Sequence, residues 1–195
     1  MATERDTGCL LIDDPLYDIG GLGALADVLA RGGLRTETFA WDKTQRLHLS
    51  LQRAYQHIRT DGAVNGIAAL GAGCDCALAL ACQLPVDRLA LLEPMRWRAE
   101  GEAARQMRRI RAFARRNAAF CVADVLIVPG PHTEADWLAR LKRDLNAARV
   151  TVLRPGGEMW SKRKEVLNLS VFHFLRDGAL PKNLAENPEM CIIYG

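Results

Sequence analysis

The sequence predicts an α/β protein, a three-layer sandwich on a mainly parallel sheet of about six strands. Three observations predict it. Apolar runs too short to be helices recur along the chain, and segments with the 3.6-residue period of an amphipathic helix fill the intervals between them. The run Gly66-Ile-Ala-Ala-Leu70 breaks into Gly71-Ala-Gly73 and restarts as an Ala/Leu helix. That order, strand then tight turn then helix, projects backbone N–H groups and one side chain from the carboxyl edge of a sheet, where open α/β folds place ligands and nucleophiles. Finally, 195 residues, half of them apolar and a quarter charged, suit one domain with a full core, and no repeat or linker divides them.

The strand candidates are, in order, Cys9 to Asp13, Thr36 to Ala40, Gly66 to Leu70, Arg88 to Glu93, Val125 to Pro129 and Val150 to Leu153. Helices are expected over about Leu22 to Arg31, Thr44 to Arg59, Cys74 to Cys82, Gly101 to Ala119, Glu134 to Ala147 and Ser161 to Leu175. Gly32-Gly33 stops the first helix, and Pro85, Pro94, Pro131 and Pro155 punctuate loops. The closing Cys191-Ile-Ile-Tyr-Gly195 reads as one more short strand, at an edge where it could pair with a second copy to give a homodimer.

Composition narrows the class. No run of eighteen apolar residues occurs, and Met1-Ala-Thr-Glu-Arg-Asp6 lacks the cationic start and apolar stretch of a signal peptide, so the expected location is cytoplasmic, with no membrane span. The six cysteines sit in apolar segments, where a reducing compartment favours buried thiols over bridges. Cys74-x-Cys76 lacks zinc-ligand spacing and a second Cys/His pair, and no cofactor is expected.

The net charge of +3 hides an asymmetry: eight arginines between Arg96 and Phe120 face only Glu100 and Glu102, a local balance of +6. A helix there would put Arg105, Arg108, Arg109, Arg111, Arg115 and Arg116 on one face and Met107, Ile110, Phe113 and Ala114 on the other. Such a face is ordinarily just solvated. Its functional reading is an anionic partner: a phosphorylated small molecule, an acidic protein, RNA or lipid head groups. No aromatic platform for RNA accompanies it.

Together these pieces resemble a small α/β-hydrolase lacking the first two strands of that family's sheet, over about Cys9 to Leu175. Leu10-Leu-Ile-Asp-Asp14 falls where the family has a strand ending in its oxyanion loop. The stretch from Leu25 to Asp42 is similar to the helix, glycine turn and strand that follow, and is the most specific part of the likeness. Gly71-Ala-Gly-Cys-Asp-Cys76 lies at the nucleophile elbow, Leu126-Ile-Val-Pro-Gly130-Pro-His-Thr133 at the acid's loop, and Pro155-Gly-Gly-Glu158 at the histidine's loop. The interval from Arg96 to Phe120 stands where the family carries its cap, here long enough for one helix. The resemblance then implies Gly73 at the nucleophile position, Thr133 at the acid and Glu158 at the histidine, with Asp13 and Asp14 in the oxyanion loop. None of these supplies Ser-His-Asp chemistry, and a carboxylate beside a developing oxyanion raises its energy.

The first expectation is therefore a degenerate hydrolase-like site that binds a small molecule or a protein partner. Two alternatives stand beside it. Shifting the elbow by one residue places Cys74 at the turn, where a helix N-terminus lowers a thiol's pKa, with His132 as base and Glu93 or Glu158 as acid, giving an ester or thioester hydrolase. Gly71-x-Gly73-x-x-Cys76, followed by Glu93 at the next strand end, also resembles a nucleotide or S-adenosylmethionine site. Asp13, Asp14, Asp75, Glu93 and Glu158 gather acid at the expected mouth and could hold a divalent cation. The plainer reading has Asp75 as a helix cap and Asp14 before Pro15 as turn chemistry.

Overall fold

The computed structural model describes residues 7–14, 21–41, 45–59, 64–95, 105–106, 108–109, 112–113, 122–145, 149–155, 164–181 and 190–194. Its strands are β1 (Thr7–Ile12), β2 (Arg35–Phe39), β3 (Val64–Leu70), β4 (Val86–Leu92), β5 (Val122–Val128), β6 (Arg149–Pro155) and β7 (Met190–Tyr194). The helices are α1 (Gly23–Arg31), α2 (Leu47–Ile58), α3 (Gly73–Ala81), α4 (Ala135–Asp144) and α5 (Lys164–Asp177).

The strands form one sheet in the order β2-β1-β3-β4-β5-β6-β7. The first six are parallel, and β7 runs antiparallel to β6 at the edge. β1 pairs with both β2 and β3, so the order of the chain through the sheet reverses there. A crevice opens at the carboxyl ends of strands at such a reversal.

Period-two alternation sorts the strand side chains onto two faces. Leu10 and Ile12 of β1, Ile67 and Ala69 of β3, Leu89 and Leu91 of β4, and Val125 and Ile127 of β5 pack under α2, α3 and α4. Cys9 and Leu11, Ala68, Ala90, Leu126 and Val128 pack under α1 and α5. Burial on both faces explains why these strands read as near-continuous apolar runs.

The strands begin earlier than their apolar runs suggest, because polar residues at their starts are held by side-chain bonds. The Asn65 N–H donates to Asp87 Oδ2 at 2.7 Å, and Arg88 donates to the Leu175 carbonyl at 2.7 Å. All nine residues of α3 are buried, which accounts for its Gly, Ala, Cys and Leu composition. Gly73 opens that helix against the end of β1, where a Cβ would lie 2.5 Å from the Ile12 carbonyl oxygen and 2.7 Å from that of Asp13.

Residues 105–106, 108–109 and 112–113 are helical, within the expected arginine-rich helix. The two-faced reading of that helix fails at one pair. Arg109 and Phe113 stand four residues apart, which puts them on the same face, and both line one groove with Gln106. Met107, Ile110, Arg111, Ala114, Arg115 and Arg116 lie outside the described residues.

Candidate functional site: the turn after the third strand

At the carboxyl edge, β3 ends at Leu70 and the chain turns through Gly71 and Ala72 into α3. Gly71 has φ +59°, and its N–H donates to the Leu92 carbonyl at 3.0 Å, fixing the turn to the end of β4. Strained backbone directly after a strand, with a helix following, is what the corner of a strand–nucleophile–helix turn requires. Gly71 has that backbone, whereas Gly73 and Cys74, the corner residues expected from the sequence, lie within α3. The pattern Gly71-x-Gly73 leaves that register open; close packing of α3 on β1 resolves it, because Gly73 takes the tight helix–strand contact and leaves Gly71 the left-handed backbone.

The side chain that reaches this corner comes from another strand. Asp14, just past β1, accepts a hydrogen bond at its Oδ2 from the Ala72 N–H at 3.0 Å. A Cβ placed on Gly71 would lie 2.6 Å from the same oxygen. The N–H of the residue after the corner is the one that an α/β-hydrolase turn offers to a developing oxyanion. Here a carboxylate of the chain itself takes it. Asp13 links the end of β1 to the start of α1: one carboxylate oxygen accepts from the Asp14 N–H at 3.2 Å, the other from the Leu22 N–H at 3.3 Å.

Cys74 lies beneath the turn, 1% exposed. Its thiol donates to the carbonyls of Ala69 at 3.3 Å and Leu92 at 3.6 Å. Burial, and after it the neighbouring Asp75 carboxylate, push the thiol's pKa well above its ordinary value. This reverses the lowering expected from the helix N-terminus, because desolvation of a thiolate outweighs the partial charge of one helix end. Cys76 is shifted the same way, again mainly by burial. Asp75 is itself buried in the first turn of α3.

The remaining candidates surround the ends of β4 and β5. Glu93 has φ 45°, its N–H donates to the Val128 carbonyl at 2.8 Å, and its side chain covers Gly130 so closely that a Cβ there would collide with it. Thr133 Oγ1 accepts from the Gly130 N–H at 3.0 Å while the Thr133 N–H donates to the Gly130 carbonyl at 3.1 Å, closing the loop on itself. His132 is exposed in that loop, without a hydrogen bond or ion pair among the described residues. Glu158 lies outside the described residues.

The structure therefore brings Asp13, Asp14 and Gly71 to one corner, and Glu93 and Thr133 to Gly130. No hydrogen bond joins Cys74 to His132. Among the described residues no group of three His, Cys, Asp or Glu could hold a metal ion. The nucleotide-site pattern also sits in a different frame: its glycine turn follows the third strand of a 2-1-3-4-5-6 order, and Glu93 folds onto Gly130. What residue-by-residue matching missed is the Ala72 N–H, a backbone donor that carries no sequence signal beyond its position after the corner.

No family model matches the chain, and no curated protein matches it. Among solved structures, 22 chains match. One is the crystal structure of the ydeN gene product from B. subtilis, an α/β-hydrolase-type protein, with a TM-score of 0.56 at 15% identity, covering 87% of this chain and 98% of that one. No helix among the described residues is long and apolar enough to cross a membrane. At that identity the likeness establishes architecture: this chain has the three-layer, α/β-hydrolase-like fold, built on six parallel strands with an antiparallel seventh.

Proposed function

We propose that this α/β-hydrolase-like protein has a degenerate catalytic site and works by binding a small molecule or a protein partner without Ser-His-Asp chemistry. The observation that carries the reading is Asp14 on the Ala72 N–H at 3.0 Å, beside a glycine corner. Acyl transfer of the hydrolase type needs a nucleophilic side chain at the corner and free donors where the oxyanion develops. Gly71 has no side chain to offer, and the Asp14 carboxylate stands where the oxyanion's stabilising N–H would act. Cys74, the nearest thiol, is held protonated by burial and bonded to two carbonyls.

The test is hydrolysis of a short activated ester and a short thioester by the purified protein, beside folded Cys74→Ala and Asp14→Ala variants. The expected result is the buffer rate for all three. Turnover that collapses in Cys74→Ala would overturn the reading in favour of a thiol hydrolase, with His132 as base and Glu93 or Glu158 as its acid partner. Turnover that survives Cys74→Ala and collapses in Asp14→Ala would overturn it in favour of a carboxylate nucleophile supplied from the end of β1.

A further inference from the structure

A groove of about 640 Å³ runs between α2, α3 and the helical residues 106, 109 and 113. Of the elbow motif it contains only Cys76, within α3, and neither Gly71 nor Asp14, so a ligand there can be tested apart from any chemistry at the turn. Cys76, Ala79 and Leu80 of α3 and Leu51 of α2 give it an apolar floor, and all four are buried. Leu49 and Phe113 flank it, at 42% and 40% exposed. They are two of the three large apolar side chains left exposed among the described residues, and both fall on this one groove.

The charged side chains of the lining, among the described residues, are Arg46 and Arg109, with His48 and glutamines beside them and no acidic side chain. Among the described residues, no ion pair or side-chain hydrogen bond engages the guanidinium of Arg46 or Arg109. Arg46 also stands at the N-terminal end of α2, whose first turn carries no acid, so the positive end of the helix dipole adds to the same field. The third wall is fastened in place: Gln106 Oε1 accepts from the Leu47 N–H at 2.8 Å, joining the arginine-rich segment to the start of α2.

An apolar floor with two unpaired guanidinium groups is complementary to a molecule with an apolar body and one anionic end. The volume lies in the range of small-molecule sites, roughly 300–1,000 Å³. We propose that this groove binds a single-tailed amphiphile with an anionic head, the tail along α3 and between Leu49 and Phe113, the head on Arg46 and Arg109. Guanidinium forks match carboxylate and phosphate heads alike, so the shared chemistry is an oxyanion on an alkyl or aryl tail.

The experiment is titration calorimetry of the full chain with decanoate and with decyl phosphate below their micellar concentrations, beside decanol, decyltrimethylammonium and acetate. One-to-one binding of either anionic amphiphile, at least tenfold tighter than decanol and with no binding of acetate, is expected. Whichever anion binds tighter identifies the head group. In the Arg46→Gln/Arg109→Gln double variant, exposed substitutions that should leave the fold intact, the preference over decanol is expected to fall to about twofold or less while decanol binding is kept. Phe113→Ala is expected to weaken both decanoate and decanol. Equal binding of decanoate, decanol and the cationic analogue would overturn the proposal, as would absence of binding or an undiminished anion preference in the double variant. Association with anionic vesicles but not with the monomeric amphiphiles would overturn it in favour of a membrane surface.

Discussion

Gly71 and Asp14 form a pair whose energetics can be separated. Gly71→Ala meets two costs, the left-handed backbone at φ +59° and the approach of the new methyl group to Asp14 Oδ2. Together these are expected to destabilise the fold by about 1–3 kcal/mol. In an Asp14→Ala background only the backbone cost remains, so a double-mutant cycle by urea unfolding should show a coupling of about 1 kcal/mol or more. Additive effects would mean that Asp14 does not occupy the corner. The thiols make a second residue-level prediction. Cys9, Cys74 and Cys76 are buried and Cys82 is partly exposed. Burial pushes the Cys9 thiol up to about 12 and the other two buried thiols well above their ordinary value. Iodoacetamide at pH 8 followed by peptide mapping should therefore label Cys82 ahead of these three in the native protein, and all four alike in urea.

At the scale of elements, α3 is positioned by what it lacks. A side chain at Gly73 would strike the backbone oxygens of Ile12 and Asp13, which cannot swing aside as a flexible side chain can. Gly73→Ala is expected to cost about 3 kcal/mol or more, because the helix would have to lift from β1 and lose its packing. Gly23, the first residue of α1, has nothing within 4 Å of its Cβ position. Gly23→Ala should be neutral or stabilising by up to about 1 kcal/mol, through reduced freedom of the unfolded chain. Comparing the two by urea denaturation tests whether contact with β1, and not glycine as such, sets the elbow. The same contact accounts for the register that the sequence left ambiguous: Gly71 and Gly73 look alike in the chain and differ only in what surrounds them.

For the whole molecule, the buried acids of high pKa set a direction for stability against pH. Cys9, Cys74 and Cys76, and Tyr55 with them, have folded-state pKa values raised mainly by burial, whereas in the unfolded chain they ionise at about 8.5 for thiols and 10 for the phenol. Above those values the unfolded state binds fewer protons than the folded one, so stability falls as pH rises. Their contribution is fully present below about pH 8 and is lost as pH climbs beyond the unfolded thiol value. The melting temperature should decline steadily from about pH 8.5 upward, less steeply in a folded Cys9→Ala variant. A flat profile to pH 10.5 would show that these groups are open to solvent, since a drop of this kind needs only their ordinary unfolded values of about 8.5 to 10.

The sequence by itself determined the class of fold, six parallel strands with helices between them, because burial on both faces writes itself as short apolar runs and amphipathic intervals. It also marked the strand–turn–helix junction after Leu70, which the structure has as β3, the turn at Gly71 and Ala72, and α3. Which glycine turns the corner, and that Asp14 reaches the Ala72 N–H from 58 residues away, were decided by tertiary structure alone. A positive φ and a carboxylate on a backbone N–H depend on how β1 and α3 pack, and no local pattern records that contact. The same holds for Cys74: its place at a helix N-terminus left an activated thiol open as an alternative to a buried packing residue, and the packing of α3 buries it. Arg109 and Phe113 became neighbours in one groove because α2 and α3 supply its other walls, from distant stretches of chain.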